Sequence, residues 1–372
     1  MPKTYDIAVL GATPAGLAAA WSLARKGRRV VVFDAPRRSA ESPLADWAPA
    51  DFFRTKAMPA AIARKCRAES FKRVRYHKAD LSEMVEYSGR KVAGYFFQSA
   101  KLTAALKAAA LAAGVKIQAS RSCPVIQLGE DVINLIGRKK LTASLLMITH
   151  GHPGEAVSDL SMPIHSIRQP PLLSAALEIP ISSGKATADL SGVLNVVELR
   201  ERSEIGLFFA IGRAVHIRMV SFSKASGNRA AELSAMLTDL QRAGILPRNL
   251  QLGRARGAVW HPPAGLATEI EMHVAKRCLL AGTAGGFADH VTGQTLWPSV
   301  RSAAIAAETA LAALDSTTPQ LTLSRYKAAW RKELGDYLRP LSTSLQMLLP
   351  LLFVNKRLLG RLTRAVLFGE NI

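Results

Sequence analysis

The chain has 372 residues, 49% hydrophobic and 21% charged, which is enough to bury a large core and is unlike a disordered or low-complexity polymer. Its formal net charge of +21 draws anions such as nucleotides or lipid headgroups; no zinc-finger or RNA-module signature accompanies it, so nucleic acid is not an expected partner. Three widely separated cysteines, Cys66, Cys123 and Cys278, form no Cys-x-x-Cys pair and read as small buried apolar residues in a reducing compartment.

Residues 5–10 (YDIAVL) form an apolar run that predicts a buried strand. No signal-peptide pattern precedes it, which places the chain in the cytoplasm as an expectation. Residues 14–26 predict a helix, with Arg25 and Lys26 in its last turn and Gly27 as its stop. Residues 29–33 (RVVVF) predict a second strand, flanked by others as in a parallel sheet. Strand, glycine turn, helix and strand together make one βαβ unit.

Residues 35–93, rich in Pro, Ala and basic side chains, predict loops and short helices. An Ala-rich helix is expected over 99–113, ended by Gly114, with strands over 115–119 and 145–149. From about 160 the runs at 193–200, 205–211 and 214–222 predict an antiparallel sheet, followed by a helix over 227–243. A strand over 277–281, a turn over 282–286 and a long helix over 298–314 return to the first unit. The expected organisation is therefore a discontinuous nucleotide-binding domain (1–160 and 266–318), an antiparallel-sheet substrate domain (161–265) and a basic helical C-terminal segment (319–372). That segment carries nine Lys/Arg between Arg325 and Arg364 against Glu333 and Asp336. Its apolar stretch at 341–354 is too short to span a bilayer, which takes about 20 residues. It can lie on an anionic membrane or pack on the protein body.

The motif GATPAG at residues 11–16 sits between the first strand and the first helix. Gly11 permits the tight turn. The small Ala12 and Ala15, with Pro14 opening the helix, let the backbone approach a pyrophosphate. Gly16 lets helix and strand pack closely, and the helix N-terminus offers N–H groups and a positive dipole. Thr13 stands where the fingerprint usually has its middle glycine. Asp34 ends the second strand, where an acid accepts hydrogen bonds from ribose hydroxyls. The fingerprint alone also permits NAD(P), and Asp34 favours NAD over NADP.

Residues 5–34 and 277–314 together resemble the flavoprotein class of aromatic hydroxylases, flavin halogenases and geranylgeranyl reductases. The late segment reads LLAGTAGGF at 279–287, then TGQT at 292–295, and residues 260–265 (WHPPAG) are similar to the Pro-Gly segment of the reductase branch. The resemblance implies an α/β, Rossmann-like FAD-binding fold with an inserted antiparallel sheet. It implies that Gly11, Ala12, Pro14, Ala15, Gly16 and Asp34 hold the ADP half of FAD. Gln98 and Val125 would lie near the adenine and diphosphate side, and Gly282, Thr283, Gly293 and Gln294 along the ribityl chain and flavin.

The implied activity is FAD-dependent oxidation or reduction of a hydrophobic organic or lipid-like substrate, with NAD(P)H as candidate electron donor. Thr283, His150 and Thr295 depart from the Asp, Asp and Gly of the class. They imply an alternative: a chain with a lost or weakened FAD site that acts as a binding or membrane-surface partner. His261 and Trp260 are candidates for a pocket lining, and Trp297 for the flavin face or the core. His150, His152 and His165 lack the further ligands a metal needs.

Overall fold

This computed structural model describes residues 3–34, 44–119, 122–137, 140–151, 160, 173–181, 189–199, 204–221, 229–248, 250, 254–260, 266–289, 291–339 and 345–370. His152, His165 and residues 261–265, with His261 among them, lie outside the described residues, as does the side chain of Trp260.

Continuous apolar runs suit strands covered on both faces, and the runs met in the sequence lie side by side. Lys3–Leu10 pairs in parallel with Val30–Asp34 on one edge and Lys140–Ile148 on the other. Lys116–Ala119 extends the sheet beyond Val30–Asp34. The far edge of Lys140–Ile148 is divided: its first half pairs antiparallel with Ile133–Ile136, its last three residues in parallel with Cys278–Leu280. Leu10, Ile148 and Leu280 therefore stand level on three neighbouring strands. The next residue on each strand, Gly11, Thr149 and Ala281, lies at one shared end of the sheet.

The helix Pro14–Ala24 buries Ala15, Gly16, Ala18, Ala19 and Ala20. It packs against the late helix Leu296–Leu314, whose buried face is likewise built of Ala303, Ala304, Ala306, Ala307 and Ala310. Small residues on both sides let the two backbones approach.

A second sheet holds Leu173–Pro180, Val193–Leu199, Glu204–Ile211, Ala214–Ser221 and Arg256–Trp260, largely antiparallel as the alternation implies. It also recruits Arg73–His77 and Met84–Ser88 from the stretch read as irregular. The expectation of loops over 35–93 is thus corrected. In Arg73–His77, Val74 and Tyr76 point inward while Arg73 and Arg75 do not, a period-2 pattern hidden by basic composition. A third, three-stranded sheet joins Ala45–Pro49, Glu69–Phe71 and Gly94–Gln98. Ala45–Pro49 contains Asp and Pro, both depleted in strands; pairing with Gly94–Gln98 holds it extended. Stacked rings of Phe71, Phe96 and Phe209, with centroids 4.5 and 4.4 Å apart, tie this sheet to the second one.

The C-terminal segment packs on the body. Pro319–Leu338 buries Leu323, Tyr326, Trp330 and Leu334, a stripe at helical spacing. Leu345–Val354 and Lys356–Phe368 cover the strand Met84–Ser88 and bury Leu349, Leu352, Leu359, Leu362 and Leu367. Tyr76 donates its hydroxyl hydrogen to Thr363 Oγ1 at 3.0 Å. Among the described residues no helix is long and apolar enough to cross a membrane.

Candidate functional site: a cleft at the strand ends

Gly11 turns the chain with φ of +108°, in the region that favours glycine, and a Cβ there would lie 2.7 Å from His150 Cβ. Thr13 then caps the first helix: its hydroxyl oxygen accepts from Gly16 N–H at 3.0 Å and its hydrogen goes to Thr149 Oγ1 at 3.2 Å. The side chain that replaces the middle glycine thus folds back and satisfies a helix donor. A Cβ on Gly16 would lie 2.2 Å from Gly11 O and 2.5 Å from Thr149 Oγ1. That close approach is the packing the fingerprint predicts.

The cleft beside this turn is lined by Thr13, Pro14, Ala15, Asp46, Ser99, Leu102, Thr149, Thr283, Thr295, Leu296 and Ser299. Three helices begin on it: Pro14–Ala24, Ser99–Ala112 and Leu296–Leu314. None of them carries an acid in its first turn. Their N-terminal dipole ends therefore add at one place and favour an anion there. Hydroxyls of Thr13, Thr149, Thr283 and Ser299 also line it, their hydrogens directed to Thr149 Oγ1, Leu10 O, Thr149 O and Phe287 O, and Thr295 adds a fifth hydroxyl. The cleft also lies outside the carboxyl ends of parallel strands, where open α/β sheets bind ligands.

Pro14, Ala15 and Thr283, read as cofactor contacts, line the cleft. Gly11, buried Ala12 and Gly16 form the turn at its edge. Gly282, with φ of +61°, donates its N–H to Ser302 Oγ at 3.0 Å; a Cβ there would meet Thr149 O at 2.7 Å. Gln98 ends its strand immediately before Ser99, without capping the helix through its side chain.

The other named residues are placed differently. Asp34 forms an ion pair with Lys107 Nζ at 2.8 Å, from the Ala-rich helix. Val125 opens an edge strand, is 62% exposed and is not part of the cleft lining. Gly293 and Gln294 are buried and engaged within the protein. Gly293 O accepts from Arg218, and Gln294 donates to Asp46 and Trp47 O while accepting from Leu296 N–H at 2.6 Å. Trp297 is buried in the core against Tyr337, with ring centroids 4.6 Å apart. Cys66 and Cys278 are buried, but Cys123 is exposed, with Sγ 3.6 Å from His150 Nε2. The reading of all three thiols as core is corrected for Cys123, which lies in a connection beside the turn. Among the described residues no group of three or more His, Cys, Asp or Glu gathers as for a metal.

Sequence reasoning missed Asp46, Ser99, Thr149 and Arg218. Asp46 and Arg218 form a buried ion pair at 3.2 Å, one from the third sheet and one from the second. Burial pushes the Asp46 carboxyl up, against the pull of Arg218, and pushes the Arg218 guanidinium down. Asp289 lies beyond them, accepting from Val291 and Thr292 N–H. Trp47 Nε1 and Tyr337 Oη are buried without a hydrogen-bond partner among the described residues. Neither residue is part of the cleft lining; Trp47 packs on Phe71 and Phe368, and Tyr337 on Trp297. Thr149 could have been found as the residue after a parallel strand; the Asp46–Arg218 pair spans 172 positions and leaves no local trace.

The NAD(P)-binding Rossmann-like domain model matches residues 9–39. No curated protein matches the sequence. Among solved structures, a geranylgeranyl bacteriochlorophyll reductase-like protein from Thermoplasma acidophilum superposes with TM-score 0.74 at 16% identity, over 91% of this chain and 86% of that one. The halogenase PltM gives 0.70 at 13% identity, over 90% and 75%. The p-nitrophenol 4-monooxygenase PnpA from Pseudomonas putida DLL-E4 gives 0.68 at 16%, over 89% and 86%. A variant of PltM has been crystallised in complex with FAD. The chain thus has the fold shared by FAD-dependent monooxygenases, flavin-dependent halogenases and geranylgeranyl reductase-like proteins. An FAD diphosphate fits the chemistry of the cleft through the converging helix N-termini, none of which carries an acid in its first turn.

Proposed function

We propose that the chain is an FAD-dependent oxidoreductase, of monooxygenase or reductase type, acting on a hydrophobic organic or lipid-like substrate with NAD(P)H as electron donor. The observation that carries this reading is the convergence of three helix N-termini on one cleft at the ends of parallel strands. A diphosphate is the anion this arrangement favours. The late wall of Thr283, Thr295 and Ser299 gives a ligand more to touch than a simple nicotinamide site needs, which supports FAD over NAD(P).

In this reading the turn at residues 11–16 and the first turn of the helix Ser99–Ala112 hold the diphosphate. Thr283 and Thr295 line the path toward the buried Asp46–Arg218 pair. Bound FAD would supply the electron transfer, and the protein would orient it and exclude water.

The test is the absorbance spectrum of gently purified protein, with chromatography of whatever cofactor heat releases. Flavin bands and released FAD are expected. Colourless protein that also fails to take up added FAD would overturn the proposal.

A further inference from the structure

The helix Leu345–Val354 buries Leu349 and Leu352 but leaves Met347 68%, Leu351 46% and Val354 85% exposed. These positions are spaced i, i+4 and i+7, so they form one stripe on one face. The next helix, Lys356–Phe368, repeats the spacing with a different chemistry. It buries Leu359, Leu362 and Leu367 and leaves Arg357, Arg361 and Arg364 exposed. Arg364 is paired with Glu370 at 3.0 Å. From Tyr337 to Gly369 the sequence holds no Asp or Glu.

The strand Met84–Ser88, which both helices contact, adds Met84, 47% exposed, and leads to the exposed Arg90 and Lys91. The acids near it are engaged: Glu83 faces Lys78 at 3.8 Å, and Glu86 faces Arg75 at 2.6 Å. Exposed apolar side chains next to cations that, Arg364 apart, pair with no acid among the described residues are what an anionic bilayer surface accepts: apolar groups enter the acyl boundary and the cations meet the headgroups. A bare apolar stripe would equally suit a second protein. The charge, all of one sign over more than thirty residues, selects the lipid.

We infer that this C-terminal helix pair, with the Met84 strand, is a docking face for an anionic lipid surface, and that Met347, Leu351 and Val354 enter the bilayer interface. The inference stands on the exposed face alone and does not depend on what the cleft binds.

Flotation of the full chain with vesicles tests it, using phosphatidylcholine alone and phosphatidylcholine with about one quarter phosphatidylglycerol. Binding is expected to the anionic vesicles and not to the neutral ones. The triple variant Met347→Ser, Leu351→Ser, Val354→Ser should lose it. Arg357→Gln and Arg361→Gln should each weaken it about fivefold, from about 1 kcal/mol per basic residue at the surface. The control Arg64→Gln with Lys65→Gln removes two exposed charges elsewhere and should bind as the parent does. All these positions are exposed, and an unchanged far-UV spectrum and melting temperature would show intact folding. Absence of flotation with anionic vesicles, equal loss in the control, or full binding by the triple variant would overturn the inference. So would a vesicle-free dimer that the triple variant abolishes, which would assign the stripe to a second copy of the chain.

Discussion

The turn at Gly11 and the Asp46–Arg218 pair border the same cleft and are built by opposite means. The turn is a matter of missing atoms: Gly11, Gly16 and Gly282 bring three backbones together where any Cβ would collide. Its polar groups are settled locally, with Thr13 capping Gly16 and Thr149 bridging to Leu10 O at 3.1 Å. The pair is a matter of added atoms. Two full charges, nearly fully buried, are joined across two sheets and steadied by Gln294 and Gly293. Steric closeness holds the first, and mutual electrostatic satisfaction holds the second. The two should fail differently.

Gly16→Val should give one of the two largest effects. Its Cβ would stand 2.2 Å from a backbone oxygen, which no rotamer relieves. Helix and strand must separate, at a cost of about 3 kcal/mol or more. Urea unfolding should show that loss at every pH, because nothing in the clash titrates. A variant that unfolds like the parent would mean that the close approach of helix and strand is not what fixes the turn.

Arg218→Met should cost about 3–5 kcal/mol, because it leaves Asp46 buried without its cation. Here the loss should depend on pH. Burial already raises the Asp46 carboxyl, and removing the arginine raises it further. A group whose folded value lies above its unfolded value stabilises fully below the unfolded value and loses that contribution as pH rises through the folded one. The deficit of Arg218→Met should therefore be smaller in mild acid than at about pH 8. The double variant Asp46→Leu, Arg218→Met should recover most of the stability. A pH-independent deficit, with no recovery in the double variant, would mean that packing rather than charge sets the cost.

This contrast explains what could be read from the sequence. Order along the chain carried the turn, because a strand, six residues of glycine and small side chains, and a helix are contiguous. The same holds for the late segment at 278–314, where strand, glycine turn and helix come one after another. The pair could not be read, because Asp46 lies in a strand whose composition disfavours strands and Arg218 lies on a different sheet. Val125 and Asp34 show the converse limit. Both sit where chain order puts them, yet one faces solvent and the other is engaged by Lys107, 73 positions further along the chain.

Burial on the second sheet has a further titrating consequence. His216 is buried beside Glu178, with Nδ1 3.7 Å from the carboxylate, and burial pushes it down to about 4. A histidine depressed in the folded state stabilises above its unfolded value near 6.5 and loses that contribution as pH falls through about 4. Over that window it should remove about 3 kcal/mol of stability. His216→Phe should flatten the acid limb of a stability–pH curve by about that amount and leave the limb above about pH 7 in place. His273, also lowered to about 4 by burial, should keep part of the acid sensitivity in that variant.

The smallest expected effect separates stability from binding. Asp34 and Lys107 are both partly exposed, and an ion pair of that kind contributes about 0–1 kcal/mol to folding. Lys107→Met should hardly move the unfolding midpoint. It should change cofactor affinity, because Lys107 occupies one oxygen of the carboxylate the fingerprint reserves for ribose hydroxyls. Freed of that partner, Asp34 has all its acceptor sites for the ribose, and FAD titrated by fluorescence quenching should bind severalfold more tightly. Asp34→Asn should bind about tenfold more weakly, as expected when a charge-assisted hydrogen bond becomes a neutral one. If both variants bind FAD as the parent does, Asp34 is a surface ion pair and the ribose finds its acceptors elsewhere. The turn would then hold the diphosphate through helix ends alone.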